Sequence, residues 1–451
     1  MTNAPHTASS KTYTDEDIKN LVDTKTGKYS PEIYTSEELY QLELEKIFAR
    51  TWICVGHESQ LPNYGDFQSA YIGEDPVVVV RQKDNSIRVF LNQCRHRGMR
   101  ICRVDAGNAR AFTCPYHGWA YDSAGNLVSV PMETAAFNDA LKKDEWGPKQ
   151  ARVETYKGLI FANWDESAPD LDTYLGDAKF YMDTMLDRVE GGTEVIEGIQ
   201  KWVIPANWKF AAEQFGSDAY HAGTTSHISG IMAGAPAGTD LTKMQPPTDG
   251  LNVYIGNGHA CGLFLRNPMF YQVIVGPAVT EYLTQTSYPE AVERVGKERA
   301  DINLCHMNVF PNLSFLTGIN TVRMWQPRGP HEMEIWSFTI VDKKAPDAIK
   351  QEWARHNVRT FSAGGVFEQD DGENWNDIQH VLRGHVAKQQ KFNIQMSDHT
   401  VRDAEPGYPG KSFANTYGEE AARNIYAHWA RMLTTSDWSA LDSVATLKAA
   451  E

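Results

Sequence analysis

The stretch Cys94–His117, CRHRGMRICRVDAGNARAFTCPYH, decides the fold of the first half of this chain. It opens with Cys94-Arg95-His96 and, after 17 intervening residues, closes with Cys114-Pro115-Tyr116-His117. Two thiolates are soft ligands suited to iron–sulfur iron or zinc, and two imidazoles complete a set of four. Each half supplies one ligand of each kind. A Rieske [2Fe–2S] centre needs this set on two loops: cysteines hold one iron, and histidines replace cysteines on the other and raise its potential. Zinc is the competing reading. Zinc-finger sets pair Cys with Cys and His with His along the chain, whereas these interleave. The interleaving favours iron–sulfur, although spacing alone leaves zinc open. Gly98 and Gly118 flank the loops, where backbone N–H groups can approach cluster sulfurs. Cys102 lies near the motif but outside its pattern, and reads as a buried free thiol.

Working outward, Pro76–Val80 and Ile87–Leu91 read as short strands separated by the polar turn Lys83-Asp84-Asn85-Ser86. Leu159–Trp164 reads as a closing strand. Short strands with frequent turn signals predict a small all-β unit. Before it, a helix is expected over Ser36–Arg50, with Thr35 and Glu38 as a capping box and Tyr40, Leu44, Ile47 and Phe48 as its apolar stripe. After it, Asp170–Leu186 reads as one helix with Leu171, Leu175, Tyr181 and Met182 near core positions. Thr321–Pro327 and Glu334–Val341 read as later strands. Ala235–Gly250, rich in Gly, Pro and Thr, reads as a mobile loop.

The net charge is −15 and 41% of the residues are apolar. An acidic surface argues against nucleic acid or anionic membrane as partners and favours a neutral small molecule or protein. Six scattered cysteines are too few for a disulfide framework in a chain of 451 residues. No run approaches the roughly 18 apolar residues of a membrane span. The N-terminus lacks a secretory pattern, so a soluble cytoplasmic protein is expected.

A second constellation lies in Asn207–His227, NWKFAAEQFGSDAYHAGTTSH. Asn207 fits a helix N-cap, with Pro205 shortly before it. On a continuous helix Gln214, Asp218 and His221 share one face. Gly223-Thr224-Thr225-Ser226 then offers a break that lets His227 fold back toward His221. Alone this is weak, because His-x5-His arises by chance roughly 0.4 times in such a chain. A third ligand downstream raises its weight, in Phe367–Trp375, FEQDDGENW. Two histidines and a carboxylate form the facial triad of non-haem Fe(II) oxygenases, which leaves positions open for dioxygen and substrate. Spacing does not choose between Asp370 and Asp371. A Rieske centre would deliver the electrons that O2 cleavage needs beyond those of one Fe(II). No GxGxxG fingerprint stands in a strand–turn–helix context, so nicotinamide chemistry belongs to another protein.

With these motifs in place, the chain resembles the alpha (large) subunits of Rieske non-haem iron aromatic-ring-hydroxylating dioxygenases, in the toluene/benzene/biphenyl branch. The blocks FLNQCRHRGMRICR, YKGLIFANWD, QKWVIPANWKFAAEQF, DAYHAGTTSH and FSAGGVFEQDDGENW carry the likeness from about Ile33 to Trp438. The resemblance implies an α+β fold. Its parts would be an N-terminal segment 1–55 packed on the catalytic domain, an all-β Rieske domain 56–168, and a catalytic domain 169–451 with an antiparallel sheet and helices in a helix-grip-like arrangement. It implies that Cys94, His96, Cys114 and His117 hold the [2Fe–2S] cluster and that His221, His227 and Asp371 hold the mononuclear iron, with Asp370 a non-ligating neighbour. It gives Asp218 a bridging role from His221 to the partner subunit's His117 in a trimer. Its pocket falls on Gln214, Phe215, Ala219, Ala222, His306, Ile319, Phe361 and Phe367. No Arg or Lys is among them, which suits a neutral arene. Gly216 and Ala219 are small where relatives often carry larger residues, which implies a roomier pocket. The implied reaction inserts both atoms of O2 into the arene to give a cis-dihydrodiol. Electrons would come from NADH through a reductase and ferredoxin, and a small beta subunit would complete a trimer of alpha–beta pairs. A Rieske monooxygenase or demethylase, and an electron-transfer protein without chemistry of its own, are the rival readings.

Overall fold

The computed structural model describes residues 12–235, 238, 240, 249–265, 269–397, 401–402, 406–413 and 416–441. The predicted loop Ala235–Gly250 falls largely outside the described residues. Among those described, no helix is long and apolar enough to cross a membrane. The architecture is α+β, as expected.

The first half is built from three small antiparallel sheets. Ile87–Leu91, Asp75–Arg81, Asp66–Ile72 and Ala106–Asn108 form one in that order, and Ala111–Thr113, Ala120–Asp122 and Leu127–Ser129 form a second. A third places Leu159–Asn163 between Ile53–His57 and Arg152–Tyr156. The valine run 77–80 is fully buried because its strand stands between two cores. Val77 and Val79 face the main core, whereas Val78 and Val80 face a smaller one with Cys94, Cys114, Trp119 and Tyr121. Period-two alternation thus makes one strand serve both sides.

The second half is organised on one nine-stranded antiparallel sheet. Its order is Thr193–Ile204, Met333–Asp342, Thr321–Pro327, Leu313–Leu316, Ile302–Val309, His259–Leu265, Gly250–Gly256, Lys411–Phe413 and Val401–Arg402. The helix Trp208–Ser217 lies across its central strands, and the helix Glu420–Thr434 packs against both helix and sheet. The helices Asp347–Phe361 and Val366–Val381 follow the last long strand. The N-terminal residues join this half: the hairpin of Val22–Asp23 with Lys28–Tyr29 pairs with Phe392–Asn393. Buried Glu43 accepts from Lys209 Nζ at 2.5 Å, Trp208 Nε1 at 2.9 Å and Trp429 Nε1 at 2.8 Å.

Several local expectations are corrected. The first predicted helix begins one residue later than the capping box proposed. Ser36, not Thr35, caps it by accepting from Leu39 N at 3.2 Å, and it runs Glu37–Glu43 before widening to π turns over Leu44–Phe48. The helix expected over Asp170–Leu186 is two, Leu171–Leu175 and Ala178–Leu186, because Gly176 turns the chain at φ +47°. The helix carrying Gln214 ends at Ser217, and Asp218 leaves helical geometry at ψ 85°. Gln214, Asp218 and His221 therefore do not share one helical face.

Candidate metal centres

The two loops of the first half are built alike. Cys94 N–H donates to Met99 O and Gly98 N–H to Cys94 O, at 2.8 and 2.9 Å. Cys114 N–H donates to Trp119 O and Gly118 N–H to Cys114 O, at 2.8 and 3.0 Å. Both glycines sit at φ +74°, where a side chain would be strained, so each loop turns at the same place. The thiols of Cys94 and Cys114 lie inside, while His96 is half-buried and His117 exposed. The imidazoles lie side by side with centroids 4.4 Å apart, and His96 stacks on Trp119 at 5.0 Å. Tyr121 Oη donates to Cys94 Sγ at 3.3 Å and accepts from Arg95 N–H at 3.1 Å. Burial, and then Cys114 beside it, raises the Cys94 thiol, so a thiolate at Cys94 is disfavoured without a cation.

These four residues do not converge on one point. Among the described residues, His221, His227 and Asp371 are the group of three or more His, Cys, Asp or Glu whose ligand atoms all lie within 4.8 Å of one another. Tetrahedral zinc would draw four ligand atoms to within about 3.8 Å of each other. Thiols inside and imidazoles on the rim suit two irons instead.

The second centre is assembled by breaks in helical structure. After Ser217 the chain turns through Asp218 into the short helix Tyr220–Thr224, which carries His221. His227 follows in the left-handed region at φ +64°, and the helix Ile228–Gly234 begins behind it. The break predicted at Gly223–Ser226 is thus present from Thr225 onward. Asp370 Oδ2 accepts from His227 N–H at 2.9 Å and holds this turn. Asp371 extends from the helix Val366–Val381.

His221 Nε2 and His227 Nε2 stand 3.1 Å apart, and Asp371 Oδ1 lies 3.4 Å from the first and 3.3 Å from the second. Ligands on one face of an octahedral ion with bonds of about 2.1 Å would be about 3.0 Å apart, close to this triangle. Asp371 Oδ1 is buried with no hydrogen-bond donor. Burial works against the Asp371 carboxylate, yet His227 and His221 hold it well below the usual range. Burial likewise opposes charge on His221, but Asp218 and Asp371 push its pKa up to about 10. The site calls for positive charge, and a divalent iron fits this donor set. Asp370 is 39% exposed at its side chain against 2% for Asp371, which distinguishes two residues that spacing left equal.

Asp218 Oδ1 accepts from His221 N–H at 3.1 Å, and its Oδ2 lies 3.2 Å from His221 Nδ1. It therefore stands behind the triad rather than in it. Phe367 and Phe361 meet His227 edge-on, at 4.9 and 6.4 Å between centroids. Phe215, Ala219 and Ile319 are buried, and Ala222 is half-buried. Gln214 Oε1 accepts from Trp375 Nε1 at 2.8 Å. His306 Nδ1 donates to Phe215 O at 3.1 Å, its Nε2 has no partner, and burial lowers its pKa to about 4. Gly262 makes room for this ring, since a Cβ there would lie 2.1 Å from His306 Nε2. The expectation for Gly216 is corrected: a Cβ there would meet Ile425 Cδ1 at 2.7 Å and Asn308 Cβ at 3.5 Å. Gly216 lets the helix lie close to its neighbours and does not widen a pocket.

Sequence reasoning missed the buried pair Arg323–Glu368, 2.7 Å apart beside the triad. A signal was present. Arg323 interrupts the apolar strand Thr321–Pro327, and a charge in such a place is buried only when paired.

Residues 51–157 match the Rieske [2Fe-2S] domain family, and residues 171–435 match the family described as Ring hydroxylating alpha subunit (catalytic domain). The chain is 60% identical over 435 residues to the biphenyl 2,3-dioxygenase subunit alpha of Rhodococcus jostii (strain RHA1), covering 96% of this chain and 94% of that one. It is also 60% identical to a benzene 1,2-dioxygenase subunit alpha of Pseudomonas putida, over 96% of each chain. Among solved structures, naphthalene 1,2-dioxygenase from Rhodococcus sp. bound to indole superposes with a TM-score of 0.80 at 35% identity, covering 91% of this chain and 95% of that one. Likeness of this extent across both halves, together with a Rieske cluster and a mononuclear iron as the family's cofactors, establishes that the chain belongs to the alpha subunits of Rieske ring-hydroxylating dioxygenases.

Proposed function

We propose that this chain adds both atoms of O2 to adjacent carbons of a neutral aromatic hydrocarbon of the benzene, toluene or biphenyl class, giving a cis-dihydrodiol. Arene, O2, two electrons and two protons balance the product. The observation that carries the reading is the triangle of His221 Nε2, His227 Nε2 and Asp371 Oδ1, with the carboxylate oxygen buried and undonated. When bound, the cluster and the iron supply one-electron transfer and O2 activation beside the substrate.

The chain's own residues do the rest. Cys94, Cys114, His96 and His117 hold the cluster, and His221, His227 and Asp371 hold the iron. Asp218 orients His221 through Nδ1 and reaches toward the partner subunit's His117, linking the two centres. Phe361 and Phe367 wall the iron on one side. Gln214, Phe215, Ala219, Ala222, His306 and Ile319 complete the pocket. Its residues include no Lys or Arg, and His306 stays neutral near pH 7 because burial disfavours its cation. An uncharged arene is the chemistry such a lining accepts.

Packing of the N-terminal segment 1–55 on the catalytic domain 169–451 is supported by the hairpin against Phe392–Asn393 and by the Glu43 contacts. The strand Ile53–His57 pairs with Leu159–Asn163, which favours a Rieske domain that begins a few residues before 56 and ends near 168. NADH electrons would arrive through a reductase and a ferredoxin, and a beta subunit would complete a cytoplasmic trimer of alpha–beta pairs. Turnover of toluene and biphenyl under 18O2, with ferredoxin and reductase supplied, tests the reaction. Two labelled oxygens in one dihydrodiol are expected. One labelled oxygen would establish monooxygenation, and conversion of benzoate in place of both hydrocarbons would overturn the substrate class.

A further inference from the structure

Arg323 sits mid-strand in the central sheet, paired with Ser314 on one side and Ser337 on the other, and its side chain is 0% exposed. Its guanidinium is spent on three different elements. Nε donates to Thr321 Oγ1 of its own strand at 3.0 Å, and Nη1 donates to Glu368 Oε2 at 2.7 Å. Nη2 donates to the carbonyl of Phe361. Phe361 ends the helix Asp347–Phe361, and Glu368 is the third residue of the helix Val366–Val381. A cation thus meets the carbonyl end of one helix, and a carboxylate occupies the first turn of the next. Both placements agree with the helix dipoles and supply a partner to an orphan carbonyl.

The two helices joined here carry much of the iron site. Phe361 and Phe367 flank His227, and Asp371 follows Glu368 by one helical turn. His221 and His227 come from elsewhere in the chain. Something must therefore fix the second helix against the sheet closely enough for Asp371 to complete the triangle, where a ligand tolerates about 0.2 Å of error.

We propose that Arg323 and Glu368 are positioning residues of the oxygenase site, a clamp between sheet and helices that sets Asp371 against the two histidines and spaces Phe361 and Phe367 beside the substrate. The clamp rests on the assignment of His221, His227 and Asp371 as iron ligands. A planar fork is required, because a lysine ammonium would serve as one point charge without bridging three acceptors in fixed directions.

The test compares Glu368→Gln, Arg323→Lys and the double variant Arg323→Met/Glu368→Leu with the parent, each loaded with Fe(II). Three readouts apply: release of mononuclear iron to a chelator, the electron paramagnetic resonance signal of its nitric oxide adduct, and product regioisomers from biphenyl. Far-ultraviolet circular dichroism and thermal unfolding report the folded fraction throughout, and cluster absorbance reports the loaded Rieske domain. Iron release about tenfold faster or more is expected, with an altered adduct signal and a shifted isomer ratio, while cluster absorbance is retained. Parent-like iron release and adduct signal in the double variant, which folds without an orphaned charge, would overturn the clamp whether or not the single variants fold. Asp371→Ala is run alongside. Should that variant keep its iron, the ligand assignment fails rather than the clamp.

Discussion

Asp370 offers the sharpest separation of a ligand from its neighbour. Its carboxylate accepts the His227 N–H at 2.9 Å, and His227 holds φ +64°, a conformation that costs a non-glycine residue about 1–2 kcal/mol. A hydrogen bond to a charged acceptor contributes about 1.5–3 kcal/mol when buried. With the Asp370 side chain 39% exposed, solvent screening brings this to about 1–2 kcal/mol. The two terms nearly cancel, so the carboxylate is what keeps His227 in the turn that presents it to the proposed iron site. Asp370→Ala removes it and should lower the population of that turn by a factor of roughly 5–30. Asp370→Asn keeps an acceptor oxygen and should retain most of the parent's iron. The assay is mononuclear iron retained after timed dialysis against a chelator, normalised to cluster absorbance. Asp370→Ala that holds iron as the parent does would refute the argument.

Asp218→Ala should keep about three irons per chain, two in the cluster and one alone, and yet nearly abolish dihydrodiol formation; normal turnover would refute its bridging role. Glu43→Gln leaves Lys209 charged and buried without its counter-ion, and should cost about 3–5 kcal/mol in urea unfolding. A loss below about 1 kcal/mol would mean that Lys209 gives up its proton or finds water. Burial lowers the pKa of both His57 and His259 from 6.5 to about 4. The unfolded chain then binds protons that the fold refuses, so stability present above pH 6.5 is lost as pH falls toward 4. Each histidine contributes about 1.4 kcal/mol per pH unit across that window. The slope of unfolding free energy against pH should be smaller by one proton in His259→Asn, and an unchanged slope would remove His259 as a cause.

The Rieske domain was legible because Cys and His are rare residue types that stand here in local spacing. Strands such as Thr321–Pro327 were legible from β-branched and aromatic residues alone. The helix breaks were not. Periodicity carried Asp170–Leu186 through Gly176 and carried Gln214 to His221 as one face, since a 3.6-residue pattern of side chains does not register a local backbone turn such as those at Gly176 and Asp218. Gly216 was misread because Ile425, which would obstruct its Cβ, lies in a distant helix. The burial that favours Asp371 over Asp370 is likewise a property of the folded domain. Arg323 and Glu368 were visible as letters, but their meeting depends on where a strand and two helices come to rest.

His227 and Asp370 are separated by 143 residues of sequence, and the strands from Gly250 to Asp342 lie between them. On the proposed ligand set, the two histidines and Asp371 are brought together across that sheet. Long-range closure of this kind is slow and comes late in folding. If His221, His227 and Asp371 hold the iron, its capture should mark a finished domain. On the proposed ligand set, His221 and His227 alone leave the triangle open, and Asp371 closes it from a helix that begins 139 residues after His227.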